Sequence, residues 1–192
     1  MSTADDHQQQ PPAVTIRTIP ASATHALRHA VLWPHKPPSY VQLPEDEAGL
    51  HFGAFVSASP SPSTSTSSEP NPDDLELVSI ISLFISSSSS SPGGSADAPQ
   101  QQSVARFRKF ATAPAWQGRG VGTALLRHVI AAAAQAGARR IWCDAREAAL
   151  PFYERFGLRA EGEVFFKGDV PYLRMTMALG EGAEGGGAET LS

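Results

Sequence analysis

Residues 114–123 read Pro-Ala-Trp-Gln-Gly-Arg-Gly-Val-Gly-Thr and stand between a strand-like segment and a strongly helical pattern. Three glycines in such a short turn let the backbone come close to a ligand. The first N–H groups of the following helix have no intrahelical acceptor, and the helix dipole adds about half a positive charge there. Together with the charge of Arg119, these features are typical of a turn that binds a pyrophosphate.

Two other kinds of phosphate loop do not fit this stretch. A dinucleotide-binding fingerprint needs G-x-G-x-x-G after a parallel strand, and a P-loop needs Gly-Lys followed by Ser or Thr. Neither spacing occurs in residues 114–123. A glycine-rich turn without any ligand is the structural alternative.

The hydrophobic pattern on both sides of the turn predicts alternating strands and helices. Apolar side chains at 121–136 repeat on one helical face, and Gly137 follows where a C-terminal cap is expected. Period-two alternation or continuous apolar runs predict the strands. The predicted strands are 14–19, 50–57, 75–85, 104–112, 139–144, 161–166 and 172–179, and the predicted helices are 23–32, 121–136 and 148–156.

The first predicted helix has an apolar face and possible caps. Ser22 or Thr24 is expected to cap it. The face expected to be buried consists of Ala26, Leu27, Ala30 and Val31.

Four segments are too polar and too rich in Ser, Pro, Gly or Gln to form a core. They are 1–12, 59–74, 86–102 and 180–192. Such composition cannot offset an ordering cost of about 1–2 kcal/mol per residue. We therefore expect one domain at 13–179, with serine-rich loop insertions near 59–74 and 86–102 and a disordered tail at each end.

Charge is distributed unevenly along the chain. The net charge is −4, which gives no general attraction to nucleic acid or to an anionic membrane. The segment from Val104 to Arg146 nevertheless holds eight of the 15 Lys and Arg residues and a single acid, Asp144. This local excess suits a polyanionic ligand.

Cysteine usage and hydropathy bear on the compartment. A single cysteine, Cys143, excludes an intramolecular disulfide and fits a reducing, cytoplasmic location. The sequence displays neither a signal peptide nor an apolar run of the roughly 18 residues that a membrane helix needs. No membrane partner is expected.

The glycine turn and the segments around it resemble motifs of the GNAT N-acetyltransferases. The stretch 117–122 resembles the family's Q/R-x-x-G-x-G/A cofactor motif, and 149–158 resembles its later A-x-x-F-Y-x-x-x-G-F/L block. Residues 108–112 resemble the strand that pairs with the pantetheine arm. The resemblance spans roughly 14–179 and implies an α/β (α+β) fold, with a mixed, mostly antiparallel sheet of about seven strands flanked by helices and splayed at the cofactor strand.

The resemblance also implies the cosubstrate and the residues that bind it. Acetyl-CoA is expected, with no metal. A splayed strand leaves main-chain groups unpaired, and an amide-containing pantetheine can pair with them. The implied contacts are Phe110, Ala111 and Thr112 on the strand, and Gln117, Gly118, Arg119, Gly120, Val121, Gly122 and Thr123 in the turn.

Tyr153 is the catalytic residue that the resemblance implies, as the general acid for the departing thiolate. Phe152 and Phe156 are four residues apart and share a helical face, whereas Tyr153 points elsewhere. The alternative is that Tyr153 is a core aromatic residue like its neighbours.

The remaining polar residues leave several questions open. The candidates for a general base are Asp144, Glu147, Glu45 and His51. For each of them the alternative is a structural or solvated polar group. Many family members have Asn where this sequence has Arg146. Cys143 is interpreted as a small buried hydrophobe rather than a nucleophile, and His25 and His29, four apart, lack a third metal ligand at a recognisable spacing.

The sequence does not specify the acceptor. We expect a primary amine on a small molecule or peptide, bound in a groove lined by segments 33–40 and 167–172. The oligomeric state, monomer or homodimer, is left open. A non-catalytic acetyl-CoA-binding module is the second hypothesis, because a fold does not guarantee activity. A nucleic-acid-binding surface lacks interleaved aromatics and any reader motif.

Overall fold

The computed structural model of the protein describes residues 12–57, 74–87 and 103–180. The predicted tails and serine-rich insertions fall almost entirely outside these residues. Ser86 and Ser87, which we assigned to an insertion, instead end a strand and pair with Val104 and Ser103.

Seven strands and three short-to-medium helices make up the described fold. The strands are β1 (Val14–Ile19), β2 (Leu50–Ser57), β3 (Leu75–Ser87), β4 (Ser103–Thr112), β5 (Ala138–Arg146), β6 (Arg159–Lys167) and β7 (Val170–Ala178). The helices are α1 (Ala21–Leu27), α2 (Val121–Gln135) and α3 (Leu150–Glu154). A π-helical turn, Arg28–Leu32, extends α1, and 3-10 turns occupy Pro38–Val41, Asp46–Ala48, Pro114–Trp116 and Glu147–Ala149.

The strands form one mixed sheet in the order β1-β2-β3-β4-β5-β7-β6. Every neighbouring pair is antiparallel except β4 and β5, which run parallel. The parallel pair is joined through α2, the helix crossover that a parallel connection requires. The predicted fold class is confirmed, and so is its mostly antiparallel, open sheet.

The sheet is splayed between β4 and β5. Their pairing involves Ser103 to Arg106 of β4 and stops there, while β4 continues beside β3 as far as Thr112. In the second half of β4, the edge that faces away from β3 therefore has no strand partner among the described residues. This is the splay that the sequence resemblance implies.

One face of the sheet packs under α2 and forms the apolar core. Val121, Leu125, Leu126 and Val129 of α2 are fully buried, together with inward residues of the central strands. Phe52 of β2 lies on this face and contacts the ring of His128. Because successive strand residues point to opposite faces, its neighbour His51 lies on the other face.

The opposite face meets α1 through polar groups rather than through the predicted apolar stripe. Thr24 and Arg28 are completely buried, whereas Ala26 and Ala30 are exposed. The predicted buried face was wrong. The predicted caps were wrong as well, because the helix begins at Ala21 after Pro20 and has no side-chain cap.

Arg28 is buried with hydrogen-bond partners for both terminal nitrogens of its guanidinium, whereas its Nε has none among the described residues. It donates to both carboxylate oxygens of Asp46, at 2.7 and 2.9 Å, and also to Ser82 Oγ and Val41 O. This bidentate ion pair satisfies both carboxylate oxygens and both terminal guanidinium nitrogens inside the protein. The cluster ties α1 to the 3-10 turn Asp46–Ala48 and to β3.

Candidate active site

The glycine turn leaves its backbone accessible at two points. Gly118 and Gly120 have φ values of +72° and +84°, and a Cβ added to either would meet no described heavy atom within 4 Å. Glycine is needed at these positions for its left-handed backbone, not to relieve a packing clash. Gln117 fixes the start of the turn by donating from Nε2 to the carbonyl oxygen of Thr112 at 2.9 Å.

The N-terminus of α2 faces this turn without a side-chain cap. Gly120 is its N-cap, with no side-chain hydrogen bond, and the Gly120 carbonyl accepts from Ala124 N at 2.9 Å. The N–H groups of Val121, Gly122 and Thr123 lie in the first turn, where a helix has no internal acceptor. Their free hydrogens and the helix dipole make this end a site for an anion.

Gly122 has a role that differs from that of the first two glycines. A Cβ there would lie 3.2 Å from Thr112 Oγ1 and 3.3 Å from Phe110 Cζ. The missing side chain therefore lets α2 pack against β4, which sets the distance between the turn and the splayed strand. Arg119 lies over the Trp116 ring, 5.2 Å from its centroid, which keeps its charge beside the turn.

A β-bulge distorts β4 where the cofactor strand was predicted. Ser82 pairs with Arg108 and Ile80 pairs with Ala111, so Lys109 and Phe110 together oppose Ile81. Lys109 has a φ of +54°, a left-handed conformation that is uncommon for a residue with a side chain. A bulge changes the direction of the groups in it, and this one lies in the half of β4 that β5 leaves unpaired.

Some of the predicted pantetheine partners already have hydrogen bonds. The Ala111 carbonyl oxygen accepts from Ser79 Oγ at 3.0 Å, and the Thr112 carbonyl oxygen accepts from Gln117. The phenyl ring of Phe110 packs 5.8 Å from that of Phe152. Ala111 also pairs with Ile80, so its carbonyl lies on the β3 side, whereas the carbonyl of Thr112 keeps a second lone pair for a further donor.

Tyr153 lies in α3 against the splayed half of β4. Its ring is 5.8 Å from Phe107 of that strand and 5.2 Å from Phe152. Burial, followed by the nearby Cys143, raises the pKa of the Tyr153 hydroxyl well above its usual range. The phenol is therefore neutral near pH 7 and can act as a hydrogen-bond donor.

Asp144 is poorly suited to be a general base. Burial works to raise its pKa, but a hydrogen bond from Lys167 and the charges of Arg106 and Arg174 hold that pKa below its usual value. Its Oδ2 lies 3.0 Å from both Lys167 Nζ and Arg106 Nη2, and Oδ1 lies 3.6 Å from Arg174 Nε. Oδ1 is buried and has no hydrogen-bond donor among the described residues.

The other three candidates for the general base either have structural partners or are exposed. His51 uses both ring nitrogens, 2.8 Å from Ser82 Oγ and 2.9 Å from Asp46 O. Glu45 is ion-paired to Arg108, and Glu147 is exposed at the start of a 3-10 turn. The contacts of these side chains do not identify any of the three as the general base.

Cys143 and the histidine pair have structural surroundings. Burial raises the pKa of the Cys143 thiol far above its usual value, so it is a buried thiol rather than a nucleophile. His29 Nε2 lies 2.6 Å from Lys36 O, and His25 Nε2 lies 3.8 Å from Asp46 Oδ2. Within the described ranges, no group of three or more His, Cys, Asp or Glu side chains is placed to hold a metal ion.

Lys109 is a site residue that the sequence analysis missed. Its Nζ lies 4.1 Å from the centroid of the Trp33 ring, on the segment that follows α1. The pKa of Lys109 falls from 10.5 to about 8, chiefly through burial and then through positive charges. Those charges belong to Arg108, Arg28, Lys167 and Arg106. The cluster of basic residues at 106–109 was visible in the sequence, but the bulge that places Lys109 beside Trp33 was not.

A pocket of about 470 Å³ opens on the sheet at some distance from the glycine turn. Its lining includes Trp142, Arg140, Glu161 and Arg174. Trp142 is flanked there by the guanidinium groups of Arg106 and Arg174, 4.4 and 4.1 Å from the ring centroid. None of the predicted site residues lines this pocket.

The family model for the acetyltransferase (GNAT) domain matches residues 79–179, more than half of the chain. The chain belongs to the GNAT acetyltransferase family. The match runs from β3 to the end of the sheet and includes the glycine turn and α3. This GNAT protein is accordingly an acetyl-CoA-dependent acyltransferase, which confirms the resemblance drawn from its motifs and favours the enzyme over a non-catalytic module.

Individual relatives agree with this assignment. A Bacillus subtilis protein named uncharacterized N-acetyltransferase YitI is 27% identical over 164 residues, which cover 81% of this chain and 87% of the relative. Arabidopsis thaliana NAA60 in complex with acetyl-CoA superposes with a TM-score of 0.60 at 13% identity, covering 87% of this chain and 99% of that one.

A further structural neighbour is FeeM, an N-acyl amino acid synthase from uncultured soil microbes. It superposes with a TM-score of 0.61 at 15% identity, covering 88% of this chain and 92% of its own. Likeness at this level of identity concerns the fold. Over the described residues, none of the helices has the length and apolar character needed to cross a membrane.

Proposed function

We propose that this GNAT protein transfers the acetyl group of acetyl-CoA to a primary amine of a small-molecule or peptide acceptor. The observation that supports this most directly is the uncapped start of α2 beside the unpaired edge of β4. The first feature suits a pyrophosphate and the second suits the amide groups of pantetheine. We place the catalytic domain at 13–179 and, from its single cysteine, the protein in the cytoplasm.

The cosubstrate would be held by two adjacent pieces of backbone. The pyrophosphate would accept hydrogen bonds from the turn and the start of α2: Gln117, Gly118, Arg119, Gly120, Val121, Gly122 and Thr123. The pantetheine arm would run along Phe110, Ala111 and Thr112. The geometry supports the direction of the arm, because Gly122 brings the turn within contact of Phe110 and Thr112.

Acetyl-CoA supplies an activated thioester, and the protein positions the groups around it. The acceptor amine attacks the carbonyl carbon, a C–N bond forms, and the C–S bond breaks. A main-chain N–H of the β4 bulge would stabilise the oxyanion. Tyr153 would donate its hydroxyl proton toward the departing sulfur and regain a proton from solvent, and the amine proton would pass to solvent because the nearby carboxylates are already ion-paired.

Thiol release from acetyl-CoA with a panel of amines tests the activity. Amino acids, polyamines, simple amines and peptide N-termini should separate acceptors from non-acceptors. Calorimetry in the same buffer measures acetyl-CoA binding without an acceptor. Binding without turnover on any amine would leave only the cosubstrate site of this proposal standing.

A matched pair of glycine variants tests the location of the pyrophosphate. Gly120 and Gly137 lie at opposite ends of α2, with φ of +84° and +79° and no described atom within 4 Å of an added Cβ. Glutamate at either position suffers similar backbone strain, but only Gly120→Glu places a repelling charge at the turn. We expect Gly120→Glu to weaken acetyl-CoA binding at least about tenfold and Gly137→Glu to leave it nearly unchanged. Equal affinities for the two variants would place the pyrophosphate elsewhere.

A further inference from the structure

Among the described residues, the sheet face beside the β4 bulge carries more cations than carboxylates, even when Glu161 and Glu163, which line the pocket beside Arg174, are counted. We call it the basic surface and define it by five cations: Arg106, Arg108, Lys109, Lys167 and Arg174. In the described part of the chain, their ion-pair partners are Asp144, shared by three of them, and Glu45, which pairs with Arg108. The side chains of Lys167 and Arg174 are each 48% exposed, so a ligand can reach this surface.

Within the described ranges, Lys109 is the member of the basic surface that has no counter-ion. Its ammonium lies against the Trp33 ring, and the charges that act on it in the described structure are all positive. A partly buried ammonium among other cations is unfavourable on its own. An anion bound beside Lys109 would relieve this repulsion and would be held by a charge-assisted hydrogen bond.

The position of Lys109 separates this site from the one proposed for the cofactor phosphates. Those phosphates are assigned to the turn after β4, which has its own free N–H groups and Arg119. Lys109 is next to Phe110 at the bulge, where the thioester is proposed to lie, and reaches Trp33 at the end of the first helical segment. The basic surface therefore faces the acceptor side of the reaction.

We propose that the acceptor is an amine that also carries a carboxylate, of the α-amino-acid type, and that Lys109 binds that carboxylate. This inference rests on the proposed acetyl transfer and specifies its second substrate. Arg108 adds charge next to Lys109, while Trp33 and Tyr40, whose rings are 5.3 Å apart, supply an apolar wall for the rest of the acceptor. Polyamines are disfavoured, because their additional positive charges would meet the same cations.

Pairs of acceptors that differ only in charge test the proposal. Each of a panel of α-amino acids is compared with its α-carboxamide, which keeps the amine and the side chain but not the negative charge. The amine of the amide is less basic, so a larger fraction of it is unprotonated and reactive at pH 7.5. This difference favours the amide and therefore works against the expected result. We expect at least one amino acid to exceed its amide by about 10- to 100-fold in kcat/KM, the range for a charge-assisted hydrogen bond.

Lys109→Met should abolish most of this preference. The variant should lower kcat/KM for the acid about tenfold or more, mainly through KM, and change that for the amide little. Acetyl-CoA affinity, measured by calorimetry, should not change. Arg17→Gln is the matched control, since Arg17 also lies over an aromatic ring, Phe55 at 5.5 Å, but in β1, away from the bulge.

Three results would overturn the inference. Equal or better turnover of amides or polyamines would show that the acceptor carboxylate is not recognised, while leaving acetyl transfer itself intact. Weakened acetyl-CoA binding in Lys109→Met would assign Lys109 to the cofactor. Absence of thiol release with every amine would remove the proposed function together with the inference, and this outcome is distinct from the first two.

Discussion

Tyr153 is a neutral phenol held in an aromatic environment, and this limits what it can contribute to catalysis. Its pKa is raised by burial, whereas a thiol has a pKa near 8.5, so complete proton transfer to the thiolate is uphill. A hydrogen bond to the developing charge on sulfur remains favourable. For Tyr153→Phe we expect kcat to fall about 10- to 100-fold with acetyl-CoA affinity and melting temperature nearly unchanged.

Single-turnover thiol release is the appropriate measurement for Tyr153→Phe, because slow product release can mask a chemical defect. The substitution retains the ring that packs against Phe107 and Phe152, so thermal unfolding serves as its control. Full single-turnover activity would make Tyr153 a packing residue and leave the sulfur to take its proton from solvent.

Lys109 is expected to reduce stability at neutral pH. Its folded pKa, about 8, lies below the ordinary lysine pKa of 10.5, so between these values the unfolded chain binds more protons. Stability therefore rises with pH across this window, and the full penalty applies below pH 8. We expect Lys109→Met to raise the free energy of unfolding by about 1–2 kcal/mol at pH 7. Each unit of pKa change corresponds to about 1.36 kcal/mol, and the total is reduced because Lys109 is partly exposed to solvent.

The pH dependence of unfolding separates this effect from simple packing. The advantage of Lys109→Met should shrink as pH rises from 8 toward 10.5, when Lys109 loses its charge in both states. The groups that act on it come from three elements: Arg106 and Arg108 of β4, Arg28 of the π-helical turn and Lys167 of β6. Lys36→Met, at an exposed lysine over Tyr40, is the control, and its effect should stay within about 0.5 kcal/mol throughout. A gain that did not vary with pH would reject the electrostatic cause.

Strands were predictable in this chain because their signal is local. β1 and β2 have the predicted bounds, and the other strands differ by a few residues at their ends. The buried face of α1 was not predictable, because Arg28 is buried only through Asp46, 18 residues away, and Ser82, 54 residues away. Local hydrophobicity contains no information about such partners. The bulge at Lys109 is likewise set by pairing with β3 rather than by its own sequence.

The Arg28–Asp46 pair should decide whether the first helical segment stays attached to the sheet. Removal of one partner leaves the other buried without compensation, which typically costs about 3–5 kcal/mol. We expect Arg28→Met and Asp46→Leu each to destabilise the protein by that amount in urea unfolding. The double variant should lose clearly less than the sum, since no unpaired charge remains. Strict additivity would show that the two side chains act independently.

At the scale of the whole molecule, the candidate site combines what a motif reveals with what only the fold assembles. The glycine turn and Tyr153 were found from contiguous residues. The basic surface was not, because its members come from β4, β6 and β7, and Asp144 that links three of them comes from β5. Net charge concealed it as well, since the molecule is acidic as a whole, at −4. The proposed acceptor site therefore depends on tertiary structure more than the proposed cofactor site does.

The two serine-rich insertions can be tested by shortening them. Both connect strands whose ends already lie opposite each other, Ser57 with Leu75 and Ser87 with Ser103, so a short turn can join each pair. Closure entropy grows only slowly with loop length, about 0.6 kcal/mol per doubling. Replacing 59–73 and 89–101 with four-residue turns should leave acetyl-CoA affinity unchanged and raise the free energy of unfolding by about 1 kcal/mol per loop at most. Calorimetry and urea unfolding measure both quantities. A loss of several kcal/mol would mean that the insertions pack against the domain, and a loss of acetyl transfer with stability intact would give them a part in binding the acceptor.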